Sequence, residues 1–198
     1  MKIWAFTICM IFGGALGLRA DTIVTVDTST LSGTSAQLAF DFVDGGTPSN
    51  TITISGFGTD GTLGSTVPTG GVSGNLPGTV VLTDSDFFNE YLTGITLGST
   101  FSFILSATTN PADSASSPDA FSLFLLDPSA EFSLVSTSDP TGSNSLLTLN
   151  IDGSAEGALS VYDASVTTAP ANTTVPEPAT LLLLGAGLLP LLRKRKAG

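Results

Sequence analysis

The chain has 198 residues, with six Lys and Arg against seventeen Asp and Glu, no His, one Cys and a formal net charge of −11. All six cations lie near the ends, at Lys2 and Arg19 and at Arg193, Lys194, Arg195 and Lys196, while sixteen of the acids fall between Asp21 and Asp163. A central region this anionic lacks the basic footprint that nucleic-acid binding requires, and anionic membrane surfaces repel it.

The residue types missing from that region narrow the chemistry further. Between Asp21 and Val175 there is no His, Lys, Arg, Cys, Trp or Met. Ser-His and Cys-His nucleophiles are therefore excluded. So are metal sites built on imidazole or thiolate, and lysine Schiff-base chemistry. Two carboxylates alone could serve a glycoside hydrolase. Such sites usually recruit cationic or indole groups to orient sugars, and none is present here.

At the N-terminus, Lys2 precedes an apolar run from Ile3 to Leu18, the pattern of a secretory signal peptide. Leu18 and Ala20 suit cleavage after residue 20, with Ala15-Leu16-Gly17 as a second small-residue site. Cys9 leaves with this segment, so no disulfide framework is expected. From Thr22 onward the pattern is β. Thr22–Val26 is a first strand; Leu38, Phe40 and Phe42 alternate in a second, and Ile52 and Ile54 mark a third. Val80–Leu82 follows, then Phe101, Phe103 and Leu105, then Phe121, Leu123 and Leu125. Leu147, Leu149 and Ile151, and finally Leu159 and Val161, complete the series. Apolar residues at every second position, with Ser, Thr or Asp between them, predict half-buried antiparallel strands. Turn signals separate them at Asp44-Gly45-Gly46, Asp60-Gly61, Asp127-Pro128, Asp139-Pro140 and Asp152-Gly153. Eight or nine short strands predict an all-β fold, a single antiparallel β-sandwich of jelly-roll type.

Two segments depart from this rhythm. Ser55–Gly78 holds eight glycines and reads as a long loop. Asp84-Ser85-Asp86 precedes Phe87-Phe88-Asn89-Glu90-Tyr91-Leu92, whose spacing predicts a short helix capped by Asp84 or Ser85, with Phe87, Phe88, Tyr91 and Leu92 on one face. No cofactor is required by this composition. Calcium is the ion that suits it, because Ca²⁺ takes six to eight oxygen ligands from carboxylates, amides and carbonyls. Asp84, Asp86, Asn89 and Glu90 cluster in sequence as the candidate ligands, and Asp44, Asp60, Asp127 and Asp152 sit at turns. No stretch matches EF-hand spacing or a calcium-binding repeat.

Thr167–Val175 reads as a flexible spacer. After it come Pro176, Glu177 and Pro178, the uncharged run Ala179–Leu192, and the basic end Arg193, Lys194, Arg195 and Lys196. As a helix, the uncharged run spans roughly 21 Å, short of the hydrocarbon core. The basic cluster holds the C-terminus on the cytoplasmic side. The expected division is residues 1–20 signal peptide, 21–166 β-sandwich ectodomain, 167–175 linker and 176–198 tail. A signal helix and a short transmembrane helix would then flank the sandwich.

This tail resembles the PEP-CTERM signal of Gram-negative bacteria, with Pro176, Glu177 and Pro178 as the box. The resemblance implies recognition by an exosortase at the outer face of the inner membrane. Cleavage near the box would follow, then release or transfer of the upstream domain to the cell surface or extracellular matrix. The exosortase supplies the catalytic cysteine of that step. Export machinery and, transiently, the inner membrane are the other implied partners. The class is linked to exopolysaccharide production and biofilm, which makes exopolysaccharide a further implied partner and glycosylation of the abundant Ser and Thr an implied modification. Asp84–Leu92 together with Phe121-Ser122-Leu123-Phe124-Leu125-Leu126-Asp127 looks like an uncharacterised PEP-CTERM ectodomain family, which implies no mechanism.

The function expected is a non-enzymatic, exported surface or matrix protein associated with exopolysaccharide. One alternative is a calcium-assisted carbohydrate-binding sandwich, with Tyr91 and Tyr162 as the residues that combine a ring with a hydroxyl. A second alternative is the carboxylate hydrolase.

Overall fold

The computed structural model describes residues 21–46, 49–110, 117–152 and 158–171. They form twelve strands and one short 3-10 turn, Ser29–Leu31. The strands are β1 Thr22–Asp27, β2 Ser35–Val43, β3 Thr51–Thr59, β4 Thr62–Thr69, β5 Val72–Gly74 and β6 Val80–Thr83. They continue with β7 Phe88–Thr96, β8 Thr100–Ala107, β9 Asp119–Leu126, β10 Leu147–Ile151, β11 Ala158–Val161 and β12 Val166–Pro170. Every pairing is antiparallel. They make two six-stranded sheets, one ordered β12-β1-β8-β3-β6-β5 and the other β11-β10-β9-β2-β7-β4.

The expected alternation builds the core between these sheets. Val24, Val26, Ile52, Ile54, Val80, Leu82, Phe101, Phe103 and Leu105 point inward from the first sheet. Leu38, Phe40, Phe42, Tyr91, Ile95, Phe121, Leu123, Leu147, Leu149 and Ile151 do so from the second. Phe40 ties the layers together: its ring meets Phe103 of the opposite sheet edge-on at 5.4 Å, and Tyr91 and Phe121 of its own sheet at 6.2 and 6.4 Å. Each large side chain buried here contributes about 1.5–3 kcal/mol relative to exposure.

Three expectations need correction. The Gly-rich segment Ser55–Gly78 is mostly strand, comprising the end of β3, all of β4 and β5. Strands β4 and β5 are sheet edges with little buried surface. Backbone pairing therefore holds them without an apolar alternation. Gly56 marks a bulge at φ +58°, where β3 slips register against β8. The second correction concerns Asp84–Leu92, which forms a turn and then β7 rather than a helix. The inward positions of β7 include Asn89 and Thr93 between apolar residues. Those polar residues masked the period of two, and the Phe87/Phe88/Tyr91/Leu92 spacing imitated a helical face. The third is at the C-terminal boundary. β12 pairs with β1 from Thr22↔Pro170 to Val26↔Val166, so paired structure runs four residues beyond the expected end at 166. Residues 167–170 thus belong to the sandwich, not to a linker.

Candidate functional site

Three strand ends meet at one end of the sandwich. Asp44 follows β2, Asp84 follows β6 and Asp119 opens β9. The pairings Val43↔Phe88 and Val43↔Ala120 draw these ends together. One carboxylate oxygen from each lies within 4.8 Å of the others. Asn50, itself buried, anchors the group. Its backbone N–H donates to Asp84 Oδ2 at 2.5 Å, and its Nδ2 donates to Asp119 Oδ2 at 2.8 Å. The Asn50 Oδ1 accepts from Thr108 Oγ1 and from the Asn110 N–H, both at 2.9 Å. Gly45 N–H donates to Asp119 Oδ1 at 2.8 Å, and Gly46 N–H to Asp44 Oδ1 at 2.7 Å. Burial, then the charges of Asp84 and Asp44, pushes the Asp119 carboxyl above its usual range, while the Gly45 and Asn50 hydrogen bonds oppose that rise. No Lys, Arg or His is available in the domain to offset three carboxylates. An all-oxygen set of this kind suits a hard divalent cation such as calcium.

This trio only partly matches the four residues expected from sequence. Asp84 belongs to it. Asp86 is exposed outside it. Asn89 is buried and committed to the fold, its Oδ1 accepting from the Gly71 N–H at 2.7 Å and its Nδ2 donating to the carbonyls of Phe42 and Asp86. Glu90 points to the other face of β7, as neighbours in a strand must. The signal for Asp44 lay in its turn. Asp119 carried none, since only sheet pairing brings it alongside.

On the outer face of the second sheet Glu90 sits opposite Asp41 of β2. Burial first, then the charge and hydrogen bond of Glu90, raises Asp41 to about 7. Burial raises Glu90 as well, against the hydrogen bond from Asp41. Protonation of Asp41 is therefore favoured well above the usual carboxylate range. Asp41 Oδ1 is buried and accepts no hydrogen bond.

The remaining turn aspartates act locally. Asp60 accepts the Ser99 and Thr100 N–H groups, each at 3.0 Å, and the Ser99 hydroxyl. The Ser99 hydroxyl above all brings Asp60 down to about 2. Asp127 caps its own loop through Ser129 and Glu131. Asp139 accepts from the N–H and hydroxyl of both Thr141 and Ser145. Burial pulls Asp139 upward, but these bonds prevail and hold it at about 2.

Tyr91 is structural rather than a surface ring. It is 1 % exposed, and its hydroxyl accepts the Leu76 N–H at 2.9 Å while donating to Asn75 Oδ1 at 2.6 Å. Tyr91→Phe removes both bonds and leaves the buried Leu76 N–H unpaired. We expect a loss of about 1–2 kcal/mol, read as a lower urea midpoint with unchanged slope. Tyr162 is half-buried, with its hydroxyl 3.2 Å from Thr148 Oγ1.

The expected signal peptide at residues 1–20 and the apolar tail with its basic end lie outside the described residues. Among the described residues no helix is long and apolar enough to cross a membrane. Residues 174–196 match the family model of the PEP-CTERM protein-sorting motif. The chain carries a PEP-CTERM sorting motif. The match takes in Pro176, Glu177 and Pro178 and the basic cluster Arg193, Lys194, Arg195 and Lys196. It marks an exported, exosortase-sorted chain. No curated protein and no solved structure matches this chain.

Proposed function

We propose that this protein is a non-enzymatic component of the cell surface or extracellular matrix, associated with exopolysaccharide once its tail has been processed. The sorting motif at residues 174–196 carries this reading. An anionic sandwich without cations supports it, since such a domain stays soluble and resists non-specific association with anionic surfaces. The order β1-β8-β3-β6 facing β2-β7-β4 supports a jelly-roll type for the fold, with β5 moved across to β6. The inner membrane holds the precursor only until cleavage. A hydrolase finds little support in the Asp41–Glu90 pair. The two groups face each other across neighbouring strands, with no Lys, Arg, His or Trp in the domain to orient a sugar between them.

The test is fractionation of the producing cells. The intact chain should reach the extracellular fraction in shortened form. A variant with Pro176, Glu177 and Pro178 all replaced by Ala should stay full-length in the inner membrane. Equal distribution of the two would overturn the reading.

A second reading, a calcium-assisted carbohydrate-binding module, is favoured by one observation: the convergence of Asp44, Asp84 and Asp119 on a single end of the sandwich. Calcium is there a structural ion that fixes the loops after β2 and β6.

A further inference from the structure

The second sheet turns a patterned face to solvent. Register partners carry one polar row across all six of its strands. From β4 to β11 the row reads Thr69, Glu90, Asp41, Ser122, Thr148 and Ser160. With neighbouring strands about 4.8 Å apart, it extends for roughly 24 Å. Two residues along, Val67, Leu92, Ala39 and Phe124 make an apolar row beside it. On its other side lie Phe88, Val43 and Ala120. Val67 is 56 % exposed and Phe88 40 %, so both rows meet solvent at their β4 and β7 ends, while Ala39 in the first is buried. Tyr162 reaches Thr148 within the polar row through its hydroxyl.

We propose that this face is a binding platform for a neutral polysaccharide chain lying across the strands. The inference rests on the matrix association above and names its ligand class and site. A sugar presents hydroxyls at its edge and C–H groups on its faces. Hydroxyls and carboxyls of the polar row meet the first kind of group, and the flanking apolar and aromatic side chains meet the second. The ligand is neutral because the domain has no cation to pair with acidic sugars and about sixteen negative charges to repel them.

The experiment is affinity electrophoresis of the protein recovered from the extracellular fraction, through gels containing hydroxyethyl cellulose, soluble starch, galactomannan or alginate, each with calcium and with chelator. Retardation by at least one neutral polymer and not by alginate, unaffected by chelator, is expected. Ser122→Gln, which fills the middle of the row, and Val67→Lys, at its exposed rim, should each weaken retardation about tenfold at unchanged melting temperature. Val67 is exposed enough that its variant folds even if the Ser122 variant does not. Retardation that survives both variants, or equals that by alginate, overturns the platform. No retardation by any of the three neutral polymers also overturns it. Matrix association itself fails separately, if the fractionated cells show the protein nowhere outside the inner membrane.

Discussion

Asp41→Asn should stabilise the domain by roughly 2 kcal/mol at pH 7 and above, while leaving stability near pH 4 almost unchanged. Folding raises the Asp41 carboxyl from 3.8 to about 7, chiefly by burial and then by Glu90. The folded state therefore holds a proton that the unfolded state has lost. Stability must fall as pH rises between those values. A shift of this size corresponds to about 4 kcal/mol at 1.36 kcal/mol per unit, and we halve it because Glu90 shares the effect. Asparagine carries no charge into the face, so the variant escapes the loss. In the wild type, Asp27, Asp60, Asp127 and Asp139 have the opposite sign. The lowered carboxyls of Asp60 and Asp139 contribute stability that is present above about pH 4 and lost as pH falls toward about 2, and those of Asp27 and Asp127 act in the same direction. Maximum stability is thus expected near pH 4–5, more acid than is usual. Urea denaturation of both proteins from pH 3 to 8 checks this. Parallel curves would mean that Asp41 titrates normally.

Calcium at 10 mM should raise the melting temperature by roughly 3–6 °C, the shift given by about 1.5 kcal/mol of linkage to the folded state. Magnesium should do less, since it demands a tighter octahedral set and keeps its waters. Asp119→Asn should abolish the calcium increment, because Asp119 is the buried member of the trio. An equal shift from both ions, or one that persists in the variant, would show that calcium binds elsewhere or only screens charge. Asp86→Asn is the matched control: the exposed Asp86 should leave the increment intact.

How far the sequence reveals these features depends on whether they are local or assembled by pairing. Where inward residues are uniformly apolar, as in Leu38, Phe40 and Phe42 or Phe121, Leu123 and Leu125, the strand is plain from its period of two. Where a buried amide serves the backbone, as Asn89 does, that period breaks and a helical spacing fits equally well. Edge strands β4 and β5 bury almost nothing and so leave no pattern to read. The sorting tail is legible because its signal is contiguous, a box, an apolar run and a basic end in order. Both carboxyl clusters are not. Asp41 meets Glu90, and Asp119 meets Asp44 and Asp84, only because β2 lies between β7 and β9. No spacing along the chain encodes that arrangement.

The most direct test of sorting is the intact mass of the protein recovered from the extracellular fraction of the producing cells. Sorting by an exosortase predicts a chain that begins near Asp21 and ends near Pro176–Pro178, without Ala179–Leu192 or the basic cluster. Any mass added by glycans on Ser and Thr would be removable by deglycosylation. Recovery of a chain that still carries Arg193–Lys196 outside the cell would contradict the account.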